Sequence, residues 1–338
     1  MRVLVTGGAG YIGSVLTRLL LEKGYSVVCL DRLFFGMDPV KEIADRIKIV
    51  KGDVRWFDPS VLDGVDAVLD LAALSNDPAG ELDPEKTMDI NFRGRARVAR
   101  LAKERGVRRY VLASSCSVYG FQDGTIDESS RINPLTTYAK ANSMAEDAAL
   151  KLSGSSFCAT VLRQATVYGF SHRMRFDLAI NGMVLGFFKN GRIPIMRDGK
   201  QWRPFVHVKD TSNAFIRVLE SDPDVVNGQV FNVGSDDQNV QIFELAKTVA
   251  GAIGVPFEYD WYGSPDNRSY RVSFDKIART LGYSTSYTIA DGAREVFSAL
   301  KEGRLNGDDP RTITVKWYKH LLESQRLTRE VELDGVVL

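Results

Sequence analysis

Cysteine and histidine are scarce, with three of each in 338 residues. Cys29, Cys116 and Cys158 lie far apart, and Cys29 and Cys158 fall inside predicted strands. Buried reduced thiols are therefore expected, not a disulfide framework. His172, His207 and His320 show neither H-x-x-H nor H-E-x-x-H spacing, which argues against a metal site. Long apolar runs are missing too. Val3-Leu4-Val5 and Val65-Asp66-Ala67-Val68-Leu69 are of strand length, far short of a membrane span. No charge of one sign dominates: 44 Lys and Arg stand against 43 Asp and Glu, a formal net charge of +1. Neither nucleic acid nor a membrane surface is expected as a partner. The chain enters a predicted strand at once, without the basic, apolar and cleavage segments of a secretory leader, so the cytoplasm is the expected compartment.

What the chain has instead is alternation. Arg2-Val3-Leu4-Val5-Thr6 is a short β-branched run. Val15, Leu16, Leu19 and Leu20 follow at helical spacing, up to a terminating Gly24. Tyr25 to Leu30 reads as the next strand, closing on Asp31. Ile47 to Val50, Asp66 to Ala73, Arg109 to Ala113 and Cys158 to Arg163 read as further strands, with helices over Lys86 to Arg105 and Thr137 to Leu152. This order predicts an α/β fold, a doubly wound parallel sheet of the Rossmann kind. Beyond residue 170 the pattern loosens. Asp177 to Lys189, Asp210 to Glu220, Phe243 to Ile253 and Phe274 to Leu281 read as helices, and Gln229 to Val233 as a strand. Trp317, Tyr318, Leu321 and Leu322 suggest a last helix.

Gly7, Gly10 and Gly13 sit between the first strand and the first helix, the context that a dinucleotide-binding loop requires. The first allows a tight turn, the second lets backbone approach a pyrophosphate, and the third lets helix pack on sheet. The helix N-terminus offers free N–H groups and its positive dipole end. Asp31 closes the second strand, 18 residues after Gly13, where a carboxylate binds a ribose diol. It would repel a 2′-phosphate, so NAD is expected over NADP, with Arg32 beside it moderating the preference. Three parts follow: an NAD-binding domain over 1–170, a smaller C-terminal substrate lobe over 171–305 with segments returning to the main sheet, and a helix and tail over 306–338.

Thr6-Gly7-Gly8-Ala9-Gly10-Tyr11-Ile12-Gly13, Gly52-Asp53-Val54, Leu71-Ala72-Ala73, Asn91, Ser114-Ser115-Cys116-Ser117-Val118-Tyr119-Gly120, Tyr138, Arg203-Pro204-Phe205-Val206-His207-Val208 and Phe231-Asn232-Val233-Gly234 stand in this order. Together they resemble the extended short-chain dehydrogenase/reductase family, and within it the sugar-nucleotide epimerases and dehydratases typified by UDP-glucose 4-epimerase. The resemblance covers about residues 1–285. It implies NAD as cofactor and a nucleotide-diphosphate sugar as substrate. Tyr11, Ile12, Asp53, Val54, Leu71, Ala72, Ala73, Asn91 and Ser114 would line the cofactor's path. Ser115 would hydrogen-bond the reacting sugar hydroxyl, with Ser75 and Ser117 nearby, and Tyr138 would be the base. Thr166 and Asn181 fall where the family contacts substrate, and Arg203 and Arg268 would clamp the diphosphate. His172, Arg173 and Arg175 are divided between substrate contact and solvent. A homodimer is implied, paired through the helices Lys86 to Arg105 and Thr137 to Leu152.

The residues agree with much of this. Removing a hydride from an alcohol carbon needs a base at the hydroxyl proton and a donor to the oxygen, and a Ser/Tyr pair supplies both. A 4,6-dehydratase resembles Thr-Asp-Glu where this chain has Ser115-Cys116-Ser117, which argues against that branch. Epimerisation through a 4-keto intermediate is the leading expectation. A dehydratase or reductase, and an NAD-binding sensor without catalysis, are the alternatives.

One position departs from the pattern. The family carries Tyr-x-x-x-Lys, and here Tyr138-Ala139-Lys140-Ala141-Asn142 places asparagine four residues on, on the same helical face. Lys140 points roughly 200° away. The resemblance gives the lysine two tasks: a hydrogen bond to the nicotinamide ribose and a charge that lowers the tyrosine pKa. Asn142 keeps the first and not the second. A nearby positive charge shifts an ionisable group by roughly 1–3 units, so its loss costs about 1.4–4 kcal/mol of phenolate stability.

Overall fold

The computed structural model describes residues 1–265 and 268–337. Among these, seven strands form the central sheet: β1 (Arg2–Thr6), β2 (Ser26–Asp31), β3 (Lys48–Lys51), β4 (Ala67–Asp70), β5 (Arg109–Ser115), β6 (Cys158–Gln164) and β7 (Val230–Val233). Their order is β7-β6-β5-β4-β1-β2-β3, and every pair is parallel. The chain winds outward from β1 to β3, then crosses back to β4 on the other side. That reversal opens a crevice at the carboxyl ends of β1 and β4, the place where doubly wound sheets hold ligands. The edge strand β7 comes from chain well beyond residue 170.

Both faces of the sheet are covered, which is why its strands read as nearly unbroken apolar runs. Val3, Val5 and Cys29 pack with Leu16 and Leu20 of α1 (Tyr11–Glu22) on one face. Leu4, Val28 and Leu30 pack with Val98 and Ala99 of α2 (Arg95–Glu104) and Ala145 of α3 (Thr137–Leu150) on the other. Thr136 caps α3, its side chain accepting from Ala139 N–H at 3.2 Å. Ala139, Ala141, Ala145 and Ala149 make the buried face of that helix, and such small residues let it lie close to the sheet. Tyr138 enters at its first turn.

The single helix expected over Lys86 to Arg105 is interrupted. A short helix, Pro84–Met88, passes into a widened π-type turn over Asp89–Gly94 before α2 begins at Arg95. Asn91, inside that turn, ties down the loop after β4 through Leu74. A methyl at Gly94 would stand 2.9 Å from Val54 Cγ2, so glycine permits the close approach there.

The chain after β6 adds a three-stranded sheet (Thr166–Tyr168, Trp202–His207, Asn239–Gln241). It also adds α4 (Ala179–Asn190), α5 (Val208–Glu220), α6 (Ile242–Ile253) and α7 (Ile289–Lys301). The helix α5 packs beside α1 on the same face of the main sheet, whereas α4, α6 and α7 pack together around Val184, Leu245, Val249, Ala293 and Val296. The sequence reading did not anticipate α7, although a capping box of Thr288 and Asp291 starts it. The last helix, α8 (Thr314–Val331), returns to the first sheet: Trp317 Nε1 donates to Phe34 O at 2.6 Å, and the Tyr318 ring meets Phe34 and Phe35 at 5.8 and 5.7 Å. No helix among the described residues is long and apolar enough to cross a membrane.

Candidate active site

A cavity of about 430 Å³ runs over the carboxyl ends of the central strands. Gly7, Gly10, Tyr11, Ile12, Gly13, Asp31, Arg32, Asp53, Val54, Leu71, Ala72 and Ala73 line one end of the series. Ser75, Ser114, Ser115, Ser117, Tyr138, Asn142, Thr166, Arg203 and Arg268 complete the expected residues on its wall. One hollow thus joins the glycine loop, the serine run and the tyrosine.

The glycine loop has the shape its composition dictates. Gly7 holds φ +68°, and a methyl at Gly13 would overlap the Gly7 carbonyl oxygen. No side chain caps the N-terminus of α1 at Gly10, and no acidic residue occupies its first turn. That leaves N–H groups and the dipole end for an anion. Asp31 is fixed by its neighbours, Oδ2 accepting from Ala9 N–H at 3.0 Å and Oδ1 from Leu33 N–H at 2.7 Å. Burial raises its carboxyl pKa against the pull of these bonds. Each oxygen keeps further acceptor capacity for a diol. The loop and its carboxylate fit a dinucleotide.

Ser115 ends β5, paired with Gln164 of β6, and its Oγ accepts from Ser117 N–H at 3.1 Å. The Ser117 hydroxyl is buried on the cavity wall without a hydrogen-bond partner. Tyr138 faces this run from α3. Burial raises its pKa above the usual phenol value and the Asp77 carboxylate raises it further, while Arg95 and hydrogen bonds from Asn142 and Ser115 pull it down. Asn142 is 1% exposed, donating from Nδ2 to Tyr138 O at 3.1 Å and accepting at Oδ1 from Arg95 Nη1 at 2.9 Å. Lys140 is exposed, as its place on the helix required.

Several expected contacts are occupied by the protein itself. Asn91 is fully buried behind the wall, accepting at Oδ1 from Leu74 N–H (2.8 Å) and donating from Nδ2 to Leu74 O (3.0 Å). Asn181 is likewise buried: it accepts from Gly169 N–H at 3.0 Å and donates to Tyr11 Oη at 3.0 Å and Arg175 O at 2.9 Å. Neither amide lines the cavity; both serve backbone and loop partners. The Ser114 hydroxyl donates to buried Glu146. The Asp53 carboxylate is held by Arg55 at 2.9 Å on each oxygen. Arg268 is ion-paired with Asp77, and Arg203 Nη1 donates to Trp202 O at 2.8 Å.

The residues left between substrate contact and solvent part company, and two further side chains reach the wall. Arg173 and Arg175 are buried on it, whereas His172 is exposed near Glu42. Arg175 forms a fork with Asp177 at 3.0 and 2.9 Å, and Arg173 lies 3.6 Å over the Phe35 ring. Tyr318 of α8 and the buried Arg95 of α2 line it as well. The three cysteines are buried and free.

A parallel doubly wound sheet, a glycine loop with an acidic strand end, and a Ser/Tyr pair over one cavity define a dinucleotide-dependent enzyme of the short-chain dehydrogenase/reductase kind. Comparison with known proteins agrees. Residues 3–234 match the NAD dependent epimerase/dehydratase family, and the chain belongs to it. A UDP-glucose 4-epimerase from Mycolicibacterium smegmatis is 31% identical over 306 residues, covering 86% of this chain and 96% of that one. MoeE5, solved with UDP-glucose and NAD, superposes with a TM-score of 0.79 at 27% identity over 90% of this chain and all of its own. The dTDP-glucose 4,6-dehydratase DesIV of Streptomyces venezuelae, solved with NAD, gives 0.80 at 26% identity over 90% of this chain and 98% of its own. NAD is the cofactor of the family. Epimerisation and dehydration both occur among these relatives.

Proposed function

We propose that this protein is an NAD-dependent sugar-nucleotide 4-epimerase. The observation that carries the reading is the meeting of Ser115 and Tyr138 on the wall of the cavity that the glycine loop opens. Bound NAD supplies a hydride acceptor that can return the hydride. The chain's own residues handle the proton. Tyr138 takes it from the sugar C4 hydroxyl as the C4–H bond gives up its hydride and the C–O bond becomes a carbonyl. Ser115 donates to that oxygen and holds it in place. The keto sugar then turns its other face, and Tyr138 returns the proton as hydride comes back, so C4 is inverted and nothing is consumed.

Ser117 offers its unpartnered hydroxyl to the sugar. Arg203 and Arg268 line the cavity and are the candidates for the diphosphate. Epimerisation is favoured over dehydration because the residues beside Ser115 hold no acid. Cys116 is buried with its thiol donating to Arg163 O at 3.3 Å, and burial raises its pKa. UDP-sugars are the proposed substrates, by similarity to the relatives. Purified protein supplied with NAD and with UDP-glucose, UDP-glucuronate or their N-acetyl counterparts is expected to interconvert one C4 pair without net NAD reduction. A 4-keto-6-deoxy product, or no product from any of them, would overturn the reading.

A further inference from the structure

We propose that Arg95 supplies, from the neighbouring helix α2, the positive charge that position 142 lacks, with Asn142 as the bridge that aims it at Tyr138. This rests on the function proposed above in taking Tyr138 as the base. Arg95 is the first residue of α2, 1% exposed, and shares the cavity wall with Tyr138 and Asn142. Its Nη1 donates to Asn142 Oδ1 at 2.9 Å, and Asn142 Nδ2 donates to Tyr138 O at 3.1 Å. Its Nη2 donates to Asp70 O at 3.2 Å and to Ala113 O, which ties the guanidinium to the ends of β4 and β5.

The charge on Arg95 is incompletely answered by its counter-ion. Asp70 is buried beside it, but Nε stands 3.8 Å from Asp70 Oδ2 and has no hydrogen-bond partner. The Asp70 oxygens accept instead from the hydroxyls of Thr6 and Tyr110, each at 2.5 Å. Taking a guanidinium out of water is costly unless its charge is used or matched. Two further charges that act on Tyr138 are paired: Asp77 with Arg268, and Arg175 with Asp177 at 2.9 Å. Arg95 is thus the cation placed to favour the phenolate, and it does so against burial and Asp77.

The chemistry of position 142 follows from this. Asparagine offers an oxygen to Arg95 and an N–H to the main-chain carbonyl of Tyr138, whereas lysine has three donors and no acceptor. A lysine at 142 would leave Arg95 without its partner and set two cations together in a buried wall. Asparagine and arginine are one device in two places. Arg95 is accordingly a positioning residue that acts through Asn142 and through its field.

The test is an ultraviolet difference titration of the Tyr138 phenol in the NAD-loaded protein. Each form is paired with its Tyr138→Phe counterpart, which isolates one phenol among 12 tyrosines. Arg95→Gln is expected to raise the midpoint by about one pH unit or more, and Arg95→Gln/Asn142→Lys to bring it back. Where Arg95→Gln fails to fold, Asp70→Asn/Arg95→Gln removes both charges of the pair and is read by the same criterion. A midpoint that stays or falls, or one that rises and is not brought back by lysine at 142, overturns the proposal. The titration needs no sugar nucleotide. Lack of turnover would count against the proposed function and leave this result standing.

Discussion

At the scale of single residues, Tyr138 carries the account. Its burial raises the phenol pKa, so the phenolate is a minor species at neutral pH and grows as pH rises. The rate should therefore climb with pH up to the phenol's pKa in the loaded enzyme. Tyr138→Phe is expected to lower kcat by about 10²–10⁴-fold, the usual worth of a positioned base, while NAD still raises the melting temperature. Turnover assays with thermal shift measure both, and a variant that keeps its rate would remove Tyr138 from the chemistry. The places of Tyr138, Ser115 and Asp31, at strand ends and a helix start, were legible in the sequence because local pattern alone defines them. Arg95 was not, since an arginine in a helix reads as a solvent-facing residue until α2 is packed on β4. Asn91 and Asn181 make loop ties that local pattern did not announce. An amide that ties a loop and an amide that holds a ligand look alike in sequence.

At the scale of elements, the last helix and α7 do what local pattern did not announce. Tyr318 brings α8 onto the cavity wall, and Trp317 fastens it to Phe34. Removing residues 314–337 is expected to weaken NAD binding by at least about 10-fold, the worth of about 1.4 kcal/mol of lost contact. Calorimetry reads this directly, and an unchanged Kd would show that α8 is not part of the cofactor wall. Its role was illegible because the partners Phe34 and Phe35 lie some 280 residues away in the chain. The helix α7 carries Glu295, which accepts from His207 Nε2 at 2.9 Å and from Phe170 N–H at 3.0 Å. Burial works to raise the Glu295 carboxyl pKa, yet these bonds and Lys209 bring it to about 2. A depressed carboxylate stabilises the fold above its unfolded pKa and loses that contribution as pH falls toward the folded value. The melting temperature of Glu295→Gln should thus lie below wild type at neutral pH. The gap should close between about pH 4.5 and 2, and a gap independent of pH would contradict the assignment.

At the scale of the whole molecule, the sheet was legible and the lobe over it was only partly so. The central strands are apolar and continuous because helices cover both faces, and that signal survives without any knowledge of contacts. The later segments take their meaning from one another. Thr166–Tyr168 pairs with Trp202–His207, which pairs in turn with Asn239–Gln241, and no one of them shows this alone. The result is one cavity in which the cofactor loop, the Ser/Tyr pair and the Arg95–Asn142 bridge share a wall. The central claim is that this wall oxidises a sugar at C4 and reduces it from the other face. Incubating the enzyme with a UDP-sugar deuterated at C4 tests it most directly. The account predicts the C4 epimer with the deuterium still on C4. An epimer that has lost its deuterium to water, or a product altered at C6, would contradict it.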